Sequence, residues 1–265
     1  MTEPRSHARF GALSLHPRAS AAIGSFCAAL NAQLAEPLRP DEHASYDALL
    51  AAFCAGTMEL CWMPPLLSAR AIARGGTLLA VPQRAGSLIY RSAILVREDG
   101  PLHELAELRG QRAAWVDRSS AAGYLFPRLE LLRDGRTAEQ LFASEQFLGS
   151  TTRAAAAVAA GEADICACFV TEGAVHDQFH AIEDLHRALG PVADQLRMIH
   201  LTGPIPPDGL VAPAQASATQ REKLTRALLN LHELPRGQAA LRELLQAMRL
   251  CAPPESVLQS LAVWG

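Results

Sequence analysis

VDRSSAAGYLFP, Val116 to Pro127, runs from an apolar segment through two serines and two alanines into a glycine and an aromatic ring. The residues before it, QRAAWVD, read as a strand, and those after it read as a helix. Two hydroxyls and a glycine at such a junction have two physical readings. Serine before a helix is a cap, worth about 1 kcal/mol. The same junction also suits an anion. A helix start leaves backbone N–H groups unpaired and carries a partial positive charge, and an oxyanion satisfies both. Serine hydroxyls add donors, and glycine lets the backbone come close.

A second junction of this kind follows. QFLGSTTRAAAAVAAGEADICAC has a strand leading to Gly149, Ser150, Thr151 and Thr152, then an alanine-rich helix ending at Gly161, then a buried strand over Asp164–Cys168. Arg153, just inside that helix, reads as a solvated residue.

Outward from these junctions, short apolar runs alternate with helical patterns, which is the signature of an α/β fold. A strand over Phe10–Leu15 precedes a helix in HPRASAAIGSFCAALNAQLAE. SYDALLAAFCAG has a serine cap, 3–4 apolar spacing and a terminal glycine. MELCWMP is a strand stopped by proline, and PLLSARAIARGG a short helix closed by two glycines. TLLAVPQ and SLIYRSAILVRE are strands, and PLHELAELRG is a helix with proline in its first turn. RMIHLTGPIPPDGLVAP holds two short strands around a proline-rich joint. From Ser217 the tail reads as three helices, ATQREKLTRALLNLHEL, RGQAALRELLQAMRL and a last one over Ser256–Val263.

The 265 residues suffice for one large domain or two lobes, with 49% hydrophobic and 19% charged residues. A net charge of −3 with scattered Lys and Arg argues against a nucleic-acid partner or a polybasic membrane surface. No run approaches the ~18 apolar residues of a membrane span. MTEPRSHARFGALSLH lacks the apolar centre of an export leader. The expected location is therefore cytoplasmic if Met1 is the native start, and periplasmic if a leader was removed. The six cysteines sit mostly in apolar, alanine-rich surroundings and read as buried reduced thiols. Cys166 and Cys168, two apart, share one face of a strand, and no second pair gives zinc-site spacing. No cofactor or metal is expected. His176 and His180 stand four apart with Glu172 one turn earlier, a spacing that can bind a metal but that here reads as an exposed polar helix face.

YRSAILVREDGPLHELAELRGQRAAWVDRSSAAGYLFPRLELL, from Tyr90, resembles the phosphate/phosphonate-type substrate-binding proteins of ABC transporters. Tyr90, Arg91 and Ser92 match a Tyr-x-Ser strand, and Leu108 and Gly110 match a helix end. Asp117, Ser120, Gly123, Tyr124 and Pro127 match the family's anion loop. Gly149, Ser150, Gly161 and Asp164 match a downstream segment, IPPDGLVAP the return segment, and SYDALLAAFCAGTMELCWMPPLLSA the first-lobe helix and strand.

What the resemblance implies is an α/β, two-lobed clamshell of the type 2 periplasmic-binding-protein fold, with a ligand cleft between the lobes. Lobe 1 would comprise residues 1–92 and 206–265, and lobe 2 residues 93–205. The function implied is capture of a small anionic ligand, phosphonate- or phosphate-like or a carboxylate, for ABC transport or sensing. An ABC-transporter permease is the implied partner. The expected ligand-binding residues are Ser119, Ser120, Ala121, Ala122, Gly123 and Tyr124 of the first junction and Ser150, Thr151 and Thr152 of the second. Tyr90 and Tyr46 would supply phenolic donors, Trp62 an apolar wall, and Glu172 a carboxylate.

The sequence departs from the family pattern at three side-chain donors. Ala121 and Ala122 replace hydroxyl residues, and Thr151 replaces a histidine. Each hydrogen bond lost to a charged group costs about 1.5–3 kcal/mol. The alanines also enlarge the pocket, so a larger, less polar molecule with one carboxylate or phosphate end fits as well. The alternative is a signal-less enzyme on the same fold, of the menaquinone or thiamine-precursor biosynthesis type, acting on a larger substrate. Its candidate groups are Glu172, Asp164 and Ser120.

Overall fold

Residues 8–15, 18–132, 141–175 and 177–264 are described by the computed structural model. β1 (Arg9–Leu13) leads into α1 (Ala19–Asn31), whose Ile23, Phe26, Cys27 and Leu30 form one buried stripe at 3–4 spacing. β2 (Arg39–His43) is followed by α2 (Tyr46–Cys54), capped by the Ser45 hydroxyl accepting from the Ala48 amide. β3 (Leu60–Met63) turns at Pro64 into α3 (Pro65–Ala73), and β4 (Thr77–Gln83) follows.

The next stretch alternates β5 (Tyr90–Arg97), β6 (Gln111–Trp115), α4 (Phe126–Leu132), β7 (Phe142–Phe147), α5 (Thr151–Ala159), β8 (Ile165–Thr171), α6 (Gln178–Leu189) and β9 (Leu196–Leu201). The chain ends with β10 (Gly209–Ala212), α7 (Ala218–Leu229), α8 (Pro235–Leu245), β11 (Arg249–Cys251) and α9 (Glu255–Ala262).

These elements divide into two compact units. Unit 1 runs up to Leu88 and resumes at Pro206; unit 2 is Ile89–Ile205. The sheet of unit 1 has the order β11-β4-β10-β3-β1-β2, with β2, β1 and β3 parallel and β10 antiparallel to its neighbours. Its core joins Phe10, Phe26 and Leu30 to Leu228, Leu241 and Leu250. The sheet of unit 2 has the order β7-β6-β8-β5-β9. β7, β6 and β8 are parallel, and β5 lies antiparallel between β8 and β9.

The central strands β5 and β8 are covered on both faces, which is why they are mostly apolar rather than alternating. On β8, Ile165 and Ala167 join one core with Ile94, Val96 and Trp115, while Cys166, Cys168 and Val170 join the other with Ala93, Leu95 and α5. Cys166 and Cys168 thus share a face, and burial pushes the Cys166 thiol up to about 12. All six cysteines are free thiols; Cys54 is exposed, and Cys251 is only partly buried. Among the described residues no helix is long and apolar enough to cross a membrane.

Three local expectations are corrected, and one strand, β2, was not foreseen. PLHELAELRG makes only a 3-10 turn over Leu105–Leu108. The Glu107 carboxylate accepts the amides of His103 and Glu104, which fixes a tight turn and holds that carboxyl below its usual range. β2, sequence RPDEH, has no apolar alternation because it is an edge strand paired with β1 alone. The end of RGQAALRELLQAMRL is β11 rather than helix. Gln246, at φ 52, closes α8, and Arg249 then pairs with Gln83 of β4. β8 runs on to Thr171, three residues beyond the expected Cys168.

Candidate functional site

Parallel β6, β7 and β8 bring their C-terminal ends to one end of the unit 2 sheet. Because β5 is antiparallel to β8, its first residue, Tyr90, pairs with Thr171 at the same end. Loops at the carboxyl ends of such strands are where an open α/β sheet places ligands. The two serine junctions follow β6 and β7. They are adjacent, since Leu148 and Gly149 donate their amides to the carbonyls of Trp115 and Val116 at 2.8 and 2.9 Å.

The first junction is a constructed turn rather than an ordinary helix start. Asp117 Oδ1 accepts the Ser119 amide at 2.7 Å, and the Asp117 carbonyl accepts that of Ser120 at 3.0 Å. Ser120 Oγ accepts the Gly123 amide at 3.1 Å. The amides of Leu125 and Phe126 then reach back five residues to the carbonyls of Ser120 and Ala121, giving a single π turn before α4. A Cβ on Gly123 would stand 2.3 Å from Val116 Cγ2, so this position is glycine because of packing. Ser92 Oγ, fully buried, donates to the Ala122 carbonyl at 2.6 Å and ties the turn to β5. Ser119 and Ser120 are buried. The Tyr124 ring is turned into the core, edge-on to Trp115 and Phe147 at 5.8 and 5.1 Å.

The second junction is a plain α-helical cap. Gly149 has φ +80, in the left-handed region that favours glycine. Ser150 Oγ accepts the Arg153 amide at 3.3 Å, Thr151 is half-buried, and Thr152 and Arg153 are exposed.

Glu172, just past β8, is gripped by the Arg91 guanidinium in a two-pronged pair at 2.9 and 3.0 Å. Arg91 also donates to the Thr202 carbonyl at 2.8 Å. The carboxylate of Glu172 is therefore occupied. The end of β8 is held by buried Asp184, whose Oδ2 accepts both the amide and the hydroxyl of Thr171 at 2.7 Å. Tyr90 lies against Phe169 with ring centroids 4.9 Å apart.

Unit 2 thus brings Tyr90, residues 119–124, residues 150–152 and Glu172 to one sheet end. Tyr46 and Trp62 belong to unit 1. Tyr46 is the buried first residue of α2. Trp62, half-buried on β3, donates its Nε1–H to Asp208, which forms an ion pair with Arg84 at 2.8 Å. The expected apolar wall therefore has a polar anchor.

The opposite end of the unit 2 sheet carries Asp164, forked by Arg112 at 2.7 and 2.9 Å. This bond and the nearby positive charge hold the Asp164 carboxyl below its usual range. A cavity of about 180 Å³ lies there, lined by Arg97, Arg112, Leu102 and Asp164. Its arginines already hold the carboxylates of Asp99 and Asp164, so it lacks an unshared positive charge. Asp164 is separated from Glu172 by the whole of β8, seven residues or roughly 23 Å. Glu172, Asp164 and Ser120 are therefore not assembled into one catalytic group. His16 and His176 lie outside the described residues. His180 pairs with Asp177 at 3.0 Å, and no group of three metal-ligating side chains occurs among the described residues.

Sequence reading missed Asp184, Asp208 and the role of Ser92. Only Ser92 left a signal, as a hydroxyl inside an otherwise apolar buried strand.

A family model described as ABC transporter, phosphonate, periplasmic substrate-binding protein matches residues 14–253. Among solved structures, a binding-protein component of an ABC phosphonate transporter from Pseudomonas aeruginosa is similar at a TM-score of 0.83 and 20% identity, covering 98% of this chain and 86% of that one. PhnD1 from Prochlorococcus marinus, solved with methylphosphonate, is similar at 0.81 and 17% identity, over 98% and 97%. A Xanthomonas citri protein, solved with a chloride ion, is similar at 0.76 and 21% identity, over 98% and 97%. These likenesses show the fold, which is that of the type 2 periplasmic binding proteins.

Proposed function

The chain belongs to the family of periplasmic substrate-binding proteins of ABC phosphonate transporters, and from that premise we propose that it captures a small oxyanion on the carboxyl end of the unit 2 sheet. The two units are the lobes of this binding fold. The permease of an ABC transporter is the partner to which the ligand is delivered, and the periplasm is then the place of action.

One observation carries this reading. Two serine-capped junctions stand side by side, joined by the hydrogen bond from the Gly149 amide to the Val116 carbonyl. Capping and anion binding are compatible in one hydroxyl. Ser120 Oγ and Ser150 Oγ each accept a backbone amide through a lone pair, which leaves the hydroxyl hydrogen to donate to a ligand. Ser119 and the Tyr90 phenol add donors at the same end. Because the fork between Arg91 and Glu172 is internally neutral, selectivity falls to hydroxyls and backbone dipoles.

The test is thermal stability against phosphate, phosphite, methylphosphonate, sulfate and carboxylates. A ligand at 100 times its dissociation constant adds about 2.7 kcal/mol. The expected result is a raised melting temperature with at least one oxyanion, lost in Ser120→Ala. No shift with any member, or chemical conversion of a bound member, would reject the reading.

A further inference from the structure

We propose that the ligand's anionic head carries an apolar group of about the size of a phenyl ring, and that this group is seated beside the first junction on the side chains of Phe126 and Phe169. The inference rests on the oxyanion reading above and names the class of molecule the same site prefers.

The face of the sheet next to the π turn has an apolar cluster of its own, separate from the two main cores of unit 2. Tyr90, Ala121, Ala122 and Ile205 are its buried members, and Phe126 and Phe169 are packed against it with part of their surface uncovered. Several backbone groups that border the cluster are engaged within unit 2. Ser92 Oγ takes the Ala122 carbonyl, the Phe126 amide takes the Ala121 carbonyl, and Tyr90 and Ile205 exchange backbone hydrogen bonds at 2.8 and 3.2 Å. The two alanine methyls point no donor or acceptor at a neighbour. The Arg91–Glu172 pair is carried by residues that alternate with Tyr90 and Ser92 along β5, so it serves the other face.

Hydroxyl donors at Ser119 and Ser120 therefore directly precede Ala121 and Ala122, two buried members of this aromatic and aliphatic cluster. A bare tetrahedral ion would use the hydroxyls and leave the apolar surface wet. A ring attached to the same ion would use both. Covering about 100 Å² of apolar surface at about 25 cal/mol per Å² corresponds to tens-fold in affinity.

The experiment is calorimetric titration of the full chain with inorganic phosphate, methylphosphonate and phenylphosphonate. The expected order is phenylphosphonate tighter than methylphosphonate by tens-fold, with phosphate weakest. Phe169→Leu should shrink the phenyl-to-methyl ratio several-fold. Ala122→Ser, which adds a hydroxyl without removing core volume, should do the same if Phe169→Leu folds poorly. Ser120→Ala should weaken all binding members about equally. Methylphosphonate binding as tightly as phenylphosphonate, still dependent on Ser120, would overturn this inference and leave the oxyanion reading standing. A phenyl preference untouched by both apolar-surface variants would also overturn it. Binding of none of the three, with no stabilisation by any other oxyanion, would overturn both readings.

Discussion

Where β8 begins, the unit 2 sheet is finished by arginines. Arg112 forks Asp164, and Arg197 spreads its guanidinium over the carbonyls of Glu98, Gly100 and Leu102. Where β8 finishes, the neighbouring strands β6 and β7 end instead in serines, glycines and backbone amides held by Ser92, Val116 and Asp117. The two ends share strands, and they differ in how their polar groups are satisfied. An arginine already forked by a carboxylate gains little from a second anion, because it must first give up the one it has. A hydroxyl that accepts an amide keeps its own hydrogen to donate. On the proposed reading, the end whose donors are hydroxyls and amides is the better host for an oxyanion, and the cavity among the arginines is the poorer one.

Three perturbations break or sharpen this contrast. The largest effect is expected from Gly123→Ala. The new methyl would meet Val116 Cγ2 at 2.3 Å and Ser120 Oγ at 2.8 Å, and the turn must shift to admit it. Overpacking of this kind costs about 1–3 kcal/mol. Chemical denaturation should show that loss, together with loss of oxyanion binding. A variant of unchanged stability would mean that packing does not hold the turn.

Ser92→Ala comes next. It leaves the Ala122 carbonyl without its donor in a buried setting, at a cost of about 1–3 kcal/mol. Urea unfolding should register the loss, and binding should weaken because the turn is freed from β5. Retained stability with full binding would show that the turn is self-sufficient.

The smallest effect is at the other end. Asp164 titrates below its ordinary value of 3.8 chiefly because Arg112 hydrogen-bonds its ionised form. A carboxyl depressed on folding stabilises the protein above its unfolded value. That contribution fades as pH falls below 3.8 through the lower folded value. Arg112→Gln should therefore be slightly less stable than the parent at pH 7, and the difference should shrink as pH falls past 3.8 and vanish below the depressed folded value. Oxyanion affinity should not change. An equal deficit at pH 7 and in acid would show that Arg112 acts through packing rather than charge.

Much of this was legible in the residues themselves. The strand before Val116, the junctions at Ser120 and Ser150 and the glycine at 149 are local events, written within a few residues, and each stands where the pattern put it. The cap reading of VDRSSAAGYLFP is met by Ser120, whose Oγ accepts the Gly123 amide, and the anion reading is the proposal built on that hydroxyl. By contrast, β2 was invisible because an edge strand need not alternate, and β11 because its three residues prolong in sequence the helical pattern that the backbone leaves at Gln246. Tyr124, matched to the family's loop by position, points into the core because Trp115 and Phe147 make an aromatic pocket for it.

The sequence by itself determined the α/β alternation, the family and the two hydroxyl-rich junctions, since periodicity, capping and glycine conformation depend on neighbours along the chain. Tertiary structure alone decided the π turn, the anchoring of Ala122 by Ser92 thirty residues away and the fork of Arg91 on Glu172. It also decided the apolar surface formed by Phe126 and Phe169. Those depend on which side chains the sheet brings together from distant strands, and no local pattern records that choice.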